Sequence, residues 1–196
     1  MVDLQQHTFW IFDMDGTLTV PAHDFSEARR ALNIGAEEDI LAALSVRSPQ
    51  EQEAAAQWLA AWELDIARSS VAQQDAVRLL ACLKKRGCTL GVVTRNTRPN
   101  ALITLSAAGL DSWFRDADIL GRESAPPKPK PDALELLMRR WGATPSQSVM
   151  VGDYIHDIRA GNAAGMKTVL VKRGTDSPSD VEADIVVTAL DHLYAE

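Results

Sequence analysis

The chain is 196 residues long, 46% hydrophobic, and carries a formal net charge of −7. That length suits one core domain with a small insertion, and the acidic balance disfavours nucleic acid, whose binding wants a basic patch. A small phosphorylated ligand stays open, because a metal ion and a few local cations can set the field inside a pocket.

Residues 8–13 (TFWIFD) read as a short buried strand closed by a turn. Residues 20–70 hold no strand-like run. An early helix is expected over Phe25 to Leu32. A second opens at Ser48-Pro49-Gln50-Glu51, a capping box with Pro at the first helical position, and carries Trp58, Leu59, Trp62 and Ile66 on one face. From about residue 71 the pattern alternates. QDAVRLLACLKKRG places Ala76, Leu79, Leu80 and Leu83 at helical spacing, with Gly87 as its stop. TLGVVT (89–94) is a strand, RPNALITLSAAG a helix, DADIL (116–120) a short strand and PDALELLMRRWG a helix. SVMVGD (148–153) is a strand, DIRAGNAAG a helix, and KTVLV (167–171) and ADIVV (183–187) are the last strands.

Alternation of this kind predicts an α/β fold, a Rossmann-like parallel sheet flanked by helices. The small all-helical segment 20–70 is inserted after the first strand, as a cap on a core formed by 1–19 and 71–196. Cys82 and Cys88 form no CxxC pattern and read as reduced, buried thiols. The opening MVDLQQHTFW lacks the charge and apolar order of a signal peptide, and no apolar run is long enough to cross a membrane. A cytoplasmic protein with no membrane partner is the expectation.

In parallel sheets the ligand site lies beyond the carboxyl ends of the strands. Asp13, Thr94 and Asp153 each close an apolar strand there, so three polar strand ends should converge on one crevice. Asp13, held rigidly beside a glycine turn, is suited to nucleophile or metal ligand; alone, DxDG reads equally well as a turn. Two neighbouring carboxylates can divide labour if their environments push their pKa values apart, so that Asp13 attacks while Asp15 holds a proton. GDYIHD adds Asp153 and Asp157, the latter opening a helix, where a plain cap is the competing reading. Four carboxylates in one crevice repel one another, and Mg²⁺ is the natural counter-ion for carboxylates plus a phosphate. Thr94 also reads as an ordinary strand residue. Lys128 and Lys130 share APPKPKPD (125–132), a loop whose prolines can hold a lysine at a fixed point.

DMDGTL (13–18), Thr94 after an apolar strand, KPKP (128–131) and GDYIHD (152–157) come in order along the chain. Together they resemble the four motifs of the haloacid dehalogenase-like hydrolase superfamily, most closely its phosphoglycolate phosphatase-like branch. The resemblance implies an Mg²⁺-dependent phosphatase acting on a small phosphomonoester through an aspartyl-phosphate. Asp13 is then the nucleophile and Asp15 the acid and then base. The metal is held by Asp13, the main-chain carbonyl of Asp15 and Asp153, with Asp157 in support. Thr94 and Lys128 bind phosphoryl oxygens, and KPxP alignment favours Lys128 over Lys130. Thr17 hydrogen-bonds near the Asp13 carboxylate. Main-chain amides around Met14 and Asn96 add donors.

Asp15 argues against dehalogenation, since halide leaves without a proton. A phosphomutase keeps both aspartates but needs a cap that closes and excludes water. A non-catalytic phosphate-binding module on the same fold is the other alternative; it would have lost at least one of Asp13, Asp15, Thr94, Lys128 and Asp153. Candidates for substrate contact are Arg95, next to Thr94, and more weakly Arg47 and His23. His156 reads as a loop side chain rather than a metal ligand. The Trp58 and Trp62 stripe reads first as packing. A cap this short predicts an open site that accepts broad or bulky substrates. Nothing in the sequence demands an oligomer.

Overall fold

The computed structural model describes residues 4–21, 25–36, 38–173 and 182–194. His23 lies outside them. Six strands form one parallel sheet: β1 (Phe9–Phe12), β2 (Thr89–Val93), β3 (Ile119–Leu120), β4 (Ser148–Gly152), β5 (Lys167–Val171) and β6 (Ile185–Val187). Their order is β3-β2-β1-β4-β5-β6. β1 sits between β2 and β4, with Phe12 level with Val92 on one side and Val151 on the other. The chain builds outward from β1 in one direction, then returns to start again beside it. That reversal opens a crevice at the carboxyl ends of β1 and β4.

The sheet is covered on both faces, as a parallel sheet must be. Side chains alternate along each strand. Trp10 and Phe12 pack on the face covered by α4 (Gln74–Lys85) and α5 (Arg98–Ala107). Ile11 and Met150 pack on the opposite face, against α6 (Asp132–Trp141) and α7 (Ile155–Ala163). The DADIL strand is shorter than expected. The backbone of Asp116–Asp118 forms a 3-10 turn, so only Ile119 and Leu120 pair with β2, and the Asp118 carboxylate accepts from the Arg115 and Trp141 side chains.

Residues 20–70 contain three helices and, among the described residues, no strand: α1 (Phe25–Ala31), α2 (Ile40–Ser45) and α3 (Pro49–Arg68). The short α2 has no counterpart in the sequence reading; Asp39 caps it by accepting from the Ala42 amide. The capping box at Ser48 and Glu51 starts α3 as expected. The two chain segments that lead into and out of this helical unit run side by side. Val20 N–H donates to Val71 O, and Gln73 N–H to Leu18 O, both at 2.9 Å.

The buried stripe of α3 is Ala55, Leu59, Glu63 and Ala67, one step round from the expected face. Trp58 and Trp62 are half-buried and stack on each other, centroids 5.9 Å apart. They belong to the helical unit's own small core, which favours the packing reading. Cys82 and Cys88 are free thiols, the second buried. No helix among the described residues is long and apolar enough to cross a membrane.

One buried pair ties the carboxyl end of β5 to α4. Arg173 Nη1 lies 2.9 Å from Asp75 Oδ2, which also accepts from the Leu190 amide at 2.8 Å. Burial pushes the Asp75 carboxyl up, but the Arg173 and Leu190 hydrogen bonds outweigh it and hold it below its ordinary 3.8. A depressed carboxylate contributes stability above its unfolded pKa and loses it as pH falls through the folded value. Asp75→Asn is therefore expected to cost about 2–3 kcal/mol at pH 7. That is less than a fully buried pair, because Arg173 keeps some water. The gap to the unchanged protein should close as pH falls below 3.8. Thermal melts across that range check it; a gap independent of pH would show that the ion pair contributes nothing.

Candidate active site

Asp13 follows β1 directly, and its amide donates to Val151 O at 2.8 Å, continuing the ladder past the last strand residue. Its side chain therefore emerges at the crevice between β1 and β4. Lys128, only 1% exposed, reaches the same point from the proline-rich loop. Its Nζ lies 2.6 Å from Asp13 Oδ1 and 2.6 Å from Asp157 Oδ1. Lys130 is exposed, so of the two rival lysines Lys128 is the one the fold brings to the carboxylates.

Asp153 follows β4, and Asp157 sits in the first turn of α7, where its Oδ2 accepts from the Tyr154 amide at 3.0 Å. Two glycines make room. A Cβ on Gly16, which has φ +86°, would lie 2.2 Å from Asp153 Oδ2. One on Gly152 would lie 2.3 Å from the Asp157 Cβ. Thr17 donates to Asp153 Oδ1 at 3.1 Å. The sequence reading placed this bond near the Asp13 carboxylate; its acceptor is Asp153, in the same cluster of carboxylates. On the other side of β1, the Thr94 hydroxyl accepts from the Asn96 amide at 3.0 Å, and both residues are buried. The Asn96 side chain also hydrogen-bonds Asp15.

Asp13, Asp153 and Asp157 each offer a carboxylate oxygen, all within 4.8 Å of one another. Two ionised carboxylates that close repel by about 3 kcal/mol at an effective dielectric of ~20. Burial pushes Asp13 up to about 7, with Asp157 and Asp15 adding to the rise and Lys128 opposing it. Burial and the charges of Asp13 and Asp157 push Asp153 up to about 8. Burial, then the Glu63 carboxylate, pushes Asp15 up to about 7. Lys128 is held above its ordinary value: burial opposes the charge, but Asp13 and Asp157 outweigh it. Lys128 is one cation against the three carboxylates of this cluster, so the ionised crevice carries a surplus of negative charge.

The helical unit is fastened over this crevice. Glu63 on α3, buried, pairs with Arg122 Nη1 at 2.5 Å and accepts from Asn100 Nδ2 at 3.4 Å. Arg122 also donates to Arg95 O. Asp39 Oδ2 lies 2.7 Å from Arg95 Nη2 and 3.2 Å from His156 Nε2. Burial raises the Asp39 carboxyl, but the Ala42 amide and Arg95 outweigh it and hold it low. Burial, with Arg95 beside it, pushes the His156 imidazole down. In this arrangement Asp13 is 9% exposed, where the short helical segment led to the expectation of a more open site. Arg47 is spent elsewhere, donating to Leu32 O and Asn33 O behind α1. Sequence reading missed Asp39, Glu63, Asn100 and Arg122. Glu63 carried a signal, as the one acid in a small-residue stripe at i, i+4 spacing with Ala55, Leu59 and Ala67.

A model of the haloacid dehalogenase-like hydrolases matches residues 10–165. The chain belongs to the haloacid dehalogenase-like hydrolase family. It is 35% identical over 114 residues to the pyrophosphatase PpaX of Bacillus velezensis, a match that covers 57% of this chain and 52%, about half, of that protein. It is 30% identical over 201 residues to the N-acetylmuramic acid 6-phosphate phosphatase of Pseudomonas aeruginosa, covering 90% of this chain and 88% of that one. Its fold is shared with a hydrolase from Pseudomonas syringae, with TM-score 0.79 and 24% identity over 95% of this chain and 96% of that one.

Proposed function

We propose that the chain is a divalent-metal-dependent phosphatase that hydrolyses a small phosphomonoester through an aspartyl-phosphate, with residues 20–70 acting as its cap. The observation that carries this reading is Asp13: a strand-end carboxylate 2.6 Å from a fully buried lysine, in one cluster with Asp153 and Asp157. The names of two relatives, a pyrophosphatase and a phosphatase, support it.

The carboxylates fit a small hard cation. They offer oxygen donors only, burial and then neighbouring charge push Asp13 and Asp153 up, and glycines clear the space around them. Asp13, Asp153 and the main-chain carbonyl of Asp15 would hold Mg²⁺, with Asp157 in support. When bound, the ion supplies positive charge to the phosphoryl oxygens.

Asp13 attacks phosphorus; the new Oδ–P bond forms as the ester P–O bond breaks. Burial and Glu63 raise Asp15 to about 7, so it can carry a proton near neutral pH; Asp13 is raised as far, and Lys128 together with a bound cation would favour its ionised, attacking form. Asp15 gives its proton to the leaving oxygen, then takes one from the water that cleaves the aspartyl-phosphate. The Glu63 carboxylate on the cap favours the protonated form, so cap closure and acid catalysis are linked. Lys128, Thr94 and Asn96 meet the phosphoryl charge. Arg95, in the seam between cap and core, meets the leaving group.

Phosphate release from a panel of phosphomonoesters, with Mg²⁺ and with chelator, tests the reading. Metal-dependent release is expected, with the chelator reducing it at least about a hundredfold, a barrier increase of ~2.7 kcal/mol. Equal release in both conditions would overturn the metal-dependent mechanism.

A further inference from the structure

A cavity of ≈ 410 Å³ lies at the other end of the sheet. It opens at the amino ends of β1 and β2, beside Phe9 and Thr89. Asp13 is four residues along β1 from Phe9, roughly 13 Å at the usual rise per residue. None of the cavity's lining residues belongs to the carboxylate crevice. Its volume falls within the roughly 300–1,000 Å³ of small-molecule sites.

Its lining is mostly polar, combining Lys84, Arg115 and Arg140 with the aromatic side chains of Phe9, Trp113 and Trp141. Trp141, at the end of α6, stacks on Phe9 with centroids 5.9 Å apart and planes 17° from parallel. Gly91 gives that indole its place on the sheet, since a Cβ there would lie 2.7 Å from Trp141 Cη2. Trp113 is the second tryptophan of the lining.

Asp118, fully buried, fixes the arrangement. Its Oδ1 accepts from Trp141 Nε1 at 2.9 Å and its Oδ2 from Arg115 Nε at 2.6 Å. Arg140 Nη1 is 3.7 Å from Oδ1. Lys84 Nζ donates to Trp113 O at 3.3 Å, which leaves two of its protons for other acceptors. Lys84, Arg115 and Arg140 against Asp118 leave two net positive charges, on a chain whose total is −7. The one carboxylate is turned inward and occupied, while the Arg115 side chain is 68% exposed and that of Arg140 35%. A pocket lined by tryptophans and three cations suits a ring that carries an anion.

We propose that this cavity is a second ligand site, separate from the catalytic crevice, for a small molecule joining a planar ring to an anionic group. A nucleoside monophosphate has that chemistry, and an aromatic carboxylate shares it.

Calorimetric titration of the full chain in chelator tests the proposal, with adenosine 5′-monophosphate, adenosine, inorganic phosphate and 1-naphthoate as probes. The nucleotide is expected to bind at least tenfold tighter than adenosine or phosphate alone. The Lys84→Gln/Arg140→Gln double variant is expected to weaken it at least tenfold while phosphate release stays unchanged. Arg115 and Trp141 still hold Asp118 in that variant, so the fold is retained. Binding of 1-naphthoate as tight as that of the nucleotide would support the ring-plus-anion class and assign the anion as a carboxylate. Nucleotide binding that the double variant leaves untouched would overturn the proposal, placing the ligand in the catalytic crevice. Binding of neither aromatic anion, or of phosphate as tightly as the nucleotide, would overturn it too.

Discussion

Asp13→Asn is expected to lower phosphate release by at least about three orders of magnitude, ~4 kcal/mol in the barrier. Asparagine keeps the shape of the side chain, so the strand end and its Val151 hydrogen bond persist. What disappears is the anionic oxygen that attacks phosphorus. The same change also removes a metal ligand, and the two losses must be separated. Asp153→Asn is the control. It removes a carboxylate from the same 4.8 Å cluster but leaves the nucleophile in place. Raising Mg²⁺ should recover much of the activity of the Asp153 variant and almost none of that of the Asp13 variant. Steady-state rates across a metal titration decide it. Equal recovery of both variants would reduce Asp13 to a metal ligand and remove the aspartyl-phosphate from the mechanism.

β1, β2 and β4 and their polar ends were legible because each is a short apolar run followed by one polar residue, Asp13, Thr94 and Asp153. Periodicity and flanking glycines locate such runs well. The parallel order followed from alternation with helices, and with it the convergence of Asp13, Thr94 and Asp153. Lys128 needed more. Local sequence does not separate it from Lys130; only the path of the proline-rich loop buries one and exposes the other. The helical unit of residues 20–70 was harder still. Trp58 and Trp62 drew attention because they are large, yet the fully buried stripe of α3 is Ala55, Leu59, Glu63 and Ala67, with Ala55 and Leu59 in the helical unit's own core and Glu63 accepting from Asn100 on α5. Asp39, Arg95 and His156 come from three separate stretches, and no spacing rule links them. Their meeting is a property of the closed arrangement, which the cap's length alone did not predict.

Lys128→Met is the second large effect, and it is first an effect on stability. Methionine fills a similar volume without charge. It would leave Asp13 and Asp157 facing each other in a buried crevice without the ammonium that now touches both at 2.6 Å. Breaking a buried ion pair from one side costs roughly 3–5 kcal/mol, because the remaining charge has no partner. In a chain of this size that lowers the melting temperature by on the order of 10 °C. The pH dependence identifies the cause. Asp13 and Asp153 already titrate near 7 and 8, above their ordinary 3.8. A carboxyl raised by folding takes up protons that the unfolded chain releases, so its contribution to stability declines as pH rises from 3.8 through the raised value. Without Lys128 that decline should steepen. The variant should melt close to the unchanged protein at pH 5, where the carboxyls can protonate, and well below it at pH 8. Mg²⁺ should narrow the gap at pH 8, since it restores positive charge where the ammonium stood. Melting curves at the two pH values, with and without the ion, measure all of this. A gap that is equal at pH 5 and pH 8 and indifferent to Mg²⁺ would mean that Lys128 holds the loop by packing alone, and that the three carboxylates do not form the electrostatic unit on which the proposed chemistry depends.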